Sequence, residues 1–170
     1  MDARRESEPT PIKNRTTVER KSERELVVTR TFNAPARIVF EAWTKPELFR
    51  RWWVPKSYGL TLLSCDKDVR VGGTYRLVFS HPAAPNPMEF FGRYLDVTPH
   101  SRLIWTNEEG GDSGQVTTIT FKETDKTLLV MHDLYPSKEA LDDAIASGST
   151  GGTSETFEQL DELLVTLASC

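Results

Sequence analysis

The sequence predicts a single α+β domain in which an antiparallel sheet curves around one long C-terminal helix. Three observations predict it: a strand and two short helices open the fold, six consecutive β-rich stretches follow, and an apolar stripe at helical spacing closes it. The length of 170 residues suits one domain, and a fold of that size buries roughly 70% of the surface its unfolded chain exposes. With 38% hydrophobic and 27% charged residues, the composition is that of an ordinary globular protein rather than a disordered chain.

Residues 1–23 are expected to form a flexible arm and residues 24–170 the domain. The arm is rich in charge, Ser, Thr and Pro, and only Ile12 and Val18 are larger apolar residues, too few to offset the entropy of ordering. Glu25 to Phe32 reads as a strand, with Val28 and Thr29 favouring extended backbone. Pro35 marks a helix start, Ile38, Val39, Phe40, Ala42 and Trp43 supply its apolar face, and Pro46 ends it. A second short helix is expected from Pro46 to Trp53, where Leu48, Phe49, Trp52 and Trp53 cluster on one flank and Arg50 and Arg51 face water. Whether Trp53 packs beneath this helix or stands exposed is left open.

Beyond Pro55 the pattern turns to strands: Leu60 to Lys67, Gly73 to Ser80, Glu89 to Val97, Arg102 to Glu108, Val116 to Glu123 and Thr127 to Tyr135. Turn residues separate them, among them Gly72-Gly73, the Pro-rich run from His81 to Pro87, and Glu109 to Gly114, so a meander is expected. Ser137 caps a helix reaching Ala146, and Gly148 to Gly152 interrupts it. Phe157, Leu160, Leu163, Leu164 and Leu167 then trace a stripe that needs a buried partner surface, and the sheet is large enough to supply it.

Charge and cysteine usage narrow the function classes. A formal net charge of −4, with basic residues scattered along the domain, argues against nucleic-acid binding. Cys65 and Cys170 lie far apart and give neither a disulfide framework nor a metal-ligand pair. No apolar run approaches a signal peptide core or a membrane span, so a cytoplasmic protein is expected. His81, His100 and His132 share no ligand spacing, so no metal is expected; Gly-x-Ser-x-Gly and Walker-type motifs are missing, and no cofactor is called for.

Several motifs, taken jointly, carry a resemblance. The run Arg30 to Leu48 (RTFNAPARIVFEAWTKPEL), Arg51 to Pro55 (RWWVP), Val71 to Arg76 (VGGTYR), Gly92 to Pro99 followed by Arg102 to Thr106 (RLIWT), and Tyr135 to Ser137 (YPS) are similar to bacterial relatives of the activator of the heat-shock-protein-90 ATPase. The resemblance spans about Glu25 to Leu167. It implies the helix-grip fold of START-like proteins and an internal cavity, and says little about chemistry. Many relatives carry Gly-Trp where the last helix resumes. This chain has Gly151-Gly152-Thr153-Ser154, and Thr153 in place of an indole implies a roomier cavity or a looser helix break.

Trp43, Trp52, Tyr75, Phe79, Phe91, Trp105, Tyr135 and Phe157 all fall where periodicity aims them at the concave face of the sheet. Core packing accounts for any one of them; as a group they point to a pocket. Two-residue alternation through Leu129, Met131 and Tyr135 turns Asp133 inward as well, where its carboxylate needs a partner or a raised pKa. Arg93 and Asn107 are its candidate companions, and His132 points the other way. Asp133 is therefore the best candidate for acid/base work, with the strand's wet end as its plainer setting.

Three functions compete on this reading. The first is binding of a small apolar or aromatic molecule in the cavity; the second is an acid/base enzyme, of cyclase, dehydratase or hydrolase type, built on the same cavity. The third, a chaperone-accessory protein, is implied by the resemblance alone. A homodimer is left open.

Overall fold

The structure, a computed structural model, describes residues 16–108, 114–147 and 152–168. Strand β1 (Thr17–Arg20) is followed by β2 (Glu25–Phe32), helix α1 (Ala36–Thr44), the single turn α2 (Pro46–Phe49) and a 3-10 turn (Lys56–Tyr58). Six strands come next: β3 (Thr61–Lys67), β4 (Thr74–Ser80), β5 (Met88–Thr98), β6 (Arg102–Asn107), β7 (Gln115–Glu123) and β8 (Thr127–Leu134). Helices α3 (Lys138–Ala146) and α4 (Thr153–Ala168) complete the chain.

The strands form one antiparallel sheet in the order β1-β2-β8-β7-β6-β5-β4-β3, so the meander from β3 to β8 is closed by β2 returning beside β8. Leu26, Val28, Arg30 and Phe32 alternate inward along β2. The same face takes Leu129 and Met131 of β8, and α4 lays Phe157, Leu160, Leu163 and Leu164 against it, all buried. The expected grip of sheet on helix is therefore observed.

Two parts of the sequence reading need correction. Thr17–Arg20, assigned to the arm, pairs with Leu26–Thr29 as an edge strand. All four residues are exposed, so the strand is held by backbone pairing and leaves no apolar alternation to detect. Residues 1–15 of the arm lie outside the described residues. The second helix, expected to reach Trp53, ends at Phe49, after which the chain continues in turns that still bury Trp52.

Long-range hydrogen bonds lock these pieces together. Pro35 offers α1 no side-chain cap, and the Glu123 carboxylate on β7 accepts from the Ala36 N–H instead, at 2.9 Å. Gln159 of α4 donates to the carbonyls of Trp52 and Val54, at 2.9 and 2.8 Å, and accepts from the Lys56 N–H. Glu155 accepts from the Ser57 N–H and hydroxyl, so the segment after α2 is fastened to the start of α4. Arg30, buried beneath α4, reaches Asp161 at 3.1 Å and Glu158 at 3.5 Å.

Candidate functional site

The fastened segment roofs a cavity of about 380 Å³ between the sheet and the first turns of α4. Tyr75, Leu77 and Phe79 of β4 line it with Phe90 and Tyr94 of β5, Trp105 and Asn107 of β6, and Met131 of β8. Phe49, Trp53, Val54, Pro55, Tyr58 and Leu60 form the roof, Gly152, Thr153, Thr156 and Phe157 the helix side, and Lys67 projects from the end of β3. Gly152 is required where the helix resumes, because a Cβ there would stand 2.9 Å from Pro55 Cγ and from the Tyr58 hydroxyl.

Seven of the thirteen residues singled out from the sequence meet at this cavity: Tyr75, Phe79, Trp105, Asn107, Met131, Thr153 and Phe157. Trp43 and Trp52 do not line it. They are packed behind it with ring centroids 4.8 Å apart, and the Trp52 indole donates to the Ala42 carbonyl. Phe91 and Arg93 point to the opposite face. The pairing of Tyr75 with Gly92 and of Leu77 with Phe90 puts Phe90, Gly92 and Tyr94 of β5 on the inner face, leaving Phe91 opposite Arg76 and Arg93 paired with Glu108. Gly92 keeps that parity hidden, since it is an inward position without a side chain; a Cβ on it would sit 2.0 Å from the Thr106 carbonyl oxygen.

Asp133 does turn inward and is buried, yet it lies outside the lining. Its carboxylate accepts from the Thr117 hydroxyl at 2.5 Å and from Gln115 at 3.4 Å, and burial raises its pKa above the ordinary carboxylate value. Arg93 is no companion to it. Asn107 is linked to it indirectly, donating to Thr117 at 3.0 Å while the Tyr75 hydroxyl lies 3.3 Å from its carbonyl oxygen. Tyr135 packs with Leu26 and Leu141 in a separate small cluster under α3. His132, on the outer face, pairs with Glu25 at 2.8 Å and holds that carboxyl below its usual range.

Lys67 is the charged lining residue that the sequence reading missed. Its ammonium lies 3.6 Å from the Phe49 ring centroid and 5.8 Å from that of Tyr75, and donates to the Tyr94 hydroxyl at 3.3 Å. Burial pulls its pKa down from 10.5 to about 8, and the same desolvation pushes the Tyr94 phenol up. Its shared parity with the buried Cys65 was the available signal. Among the described residues, no group of three or more His, Cys, Asp and Glu side chains could hold a metal ion, and no helix is long and apolar enough to cross a membrane.

A curved antiparallel sheet gripping a C-terminal helix over an apolar cavity defines the START-like class. Within it, the family model for Activator of Hsp90 ATPase homolog 1-like proteins matches residues 33–165, and the chain belongs to that family. Among solved structures, a protein from Rhodobacter sphaeroides is 25% identical with a TM-score of 0.80, over 89% of this chain and 99% of that one. One from Nitrosomonas europaea is 26% identical with a TM-score of 0.79, over 89% and 100% of the two chains. An AHSA1-like protein from Aeromonas hydrophila, 18% identical over 82% of this chain and 93% of its own, shares the fold at a TM-score of 0.66. A comparison with curated proteins gives no match.

Proposed function

We propose that the protein binds a small molecule with a flat, mostly apolar body in the cavity between α4 and strands β3 to β6. The observation that carries the reading is the cavity itself: about 380 Å³ walled by aromatic and aliphatic side chains beside the main hydrophobic core. The acid/base alternative would require Asp133 to meet the ligand, and its carboxylate is instead engaged by Thr117 and Gln115 outside the lining.

Trp53 and Trp105 line the cavity, so binding should quench tryptophan fluorescence. Thr153→Trp narrows the helix side of the cavity. Measured by calorimetry, it should weaken large aromatic ligands more than small ones, since overpacking costs about 1 to 3 kcal/mol where room is lacking. A broad screen of apolar compounds that gives no quenching would refute ligand binding and favour a protein-contact role.

A further inference from the structure

We infer that the ligand of this cavity is an anion: an apolar or aromatic body bearing one acidic group, whose charge is met by the Lys67 ammonium. This rests on the ligand-binding reading and names the chemistry of its polar end. Lys67 is the one charged residue among the described residues that line the cavity. Lysine side chains at strand ends ordinarily extend into water, whereas this one is held among rings, against Phe49 and beneath Tyr94.

Among the described residues no carboxylate pairs with Lys67. Its neighbours Asp66 and Asp68 are both exposed, and Asp68 is engaged by Arg70 at 2.9 Å. An ammonium has three hydrogens to donate, and the protein acceptor it finds here is a neutral phenol. A charge kept in an apolar wall without a counter-charge is costly, and an anionic ligand would supply that counter-charge where the apolar body also fits.

Other polar groups around the cavity are already engaged within the protein. The Tyr75 hydroxyl donates to the Thr106 carbonyl at 2.8 Å, Asn107 donates to Thr117, and the Thr156 hydroxyl donates to the Gly152 carbonyl at 2.9 Å. Lys67 is thus the strongest handle left for a ligand's polar end, and its sign selects an acid over a neutral or basic compound.

Three naphthalene probes of nearly equal shape test this by isothermal titration calorimetry on the full chain: 2-naphthylacetate, 2-naphthaleneethanol and 2-naphthaleneethylammonium. The acetate should bind at least about tenfold more tightly than the alcohol, the gain expected for a hydrogen bond between charged groups, and the ammonium should bind most weakly. Lys67→Met should abolish the preference for the acetate while keeping the alcohol within about threefold, and Lys67→Arg should retain a preference for the acid. Equal binding of acetate and alcohol by the wild type, or a preference that survives Lys67→Met, overturns the inference and leaves the cavity reading standing. If none of the three probes binds, both fall.

Discussion

Replacing Lys67 by methionine should make the protein more stable at neutral pH, although it removes the residue proposed to recognise the ligand. The thioether fills a similar volume along Phe49 and Tyr94 without a charge to desolvate. The fall in the Lys67 pKa from 10.5 to about 8 corresponds to roughly 3 kcal/mol of destabilisation carried by the folded ammonium, at about 1.4 kcal/mol per pH unit. Loss of the bond to Tyr94 returns about 1 kcal/mol, so a net gain of about 1 to 3 kcal/mol is expected, or roughly 2 to 12 °C in Tm for a domain of this size. The pH dependence has a definite sign. Between about 8 and 10.5 the unfolded chain keeps the lysine proton that the folded protein has released, so the wild type gains stability as pH rises through that window. The advantage of Lys67→Met should therefore be constant below about pH 8 and shrink toward pH 10. Tyr75 and Tyr94 stay beside this position in both proteins, so the difference between the two melting curves reports on Lys67 and on its coupling to the Cys65 thiol. Circular dichroism melts from pH 6 to 10 measure it. A variant less stable than wild type at pH 7, or a difference that does not vary with pH, would refute the account of Lys67 as an uncompensated charge.

Leu160→Ala and Leu164→Ala on α4 should each cost about 2 to 5 kcal/mol in chemical denaturation, because both side chains are buried against the sheet. Val165→Ala, on the exposed face of the same helix, should stay within about half a kcal/mol, and equal effects at all three positions would break the grip assignment. Asp133→Asn should leave the calorimetric affinity for 2-naphthaleneethanol within about threefold, since the carboxylate lies outside the lining. Because the folded protein holds the Asp133 proton to higher pH than the unfolded chain does, wild-type stability should decline as pH rises above the ordinary carboxylate value. The asparagine variant should lack that part of the decline in pH-dependent denaturation, and an unchanged slope would argue against a buried, reluctant carboxylate. Gly92→Ala should destabilise by more than 1 kcal/mol, roughly, because its Cβ would collide with the Thr106 carbonyl, and a neutral result in a denaturant melt would mean that β5 and β6 separate easily there.

Elements whose side chains announce burial by their spacing were legible in the sequence. Strand β2, the six strands of the meander, α1, and the stripe from Phe157 to Leu164 all show their period directly, and the Ser137 cap is observed, its hydroxyl oxygen accepting from the Ala140 N–H. The aromatic residues of β4 and β6 were correctly turned inward for the same reason. Three things were decided by tertiary structure. The edge strand β1 pairs through backbone groups, which composition does not display. The parity of β5 depends on its register with β4, and with Gly92 at an inward position, Phe91 was easily mistaken for a cavity-facing residue, a place that Phe90 and Tyr94 take. The site itself turned on Lys67: a lysine at a strand end reads as solvated, and only the convergence of Phe49, Tyr75 and Tyr94 from three other elements encloses it. Periodicity states which way a side chain faces, whereas what it meets there depends on chain segments far away in sequence.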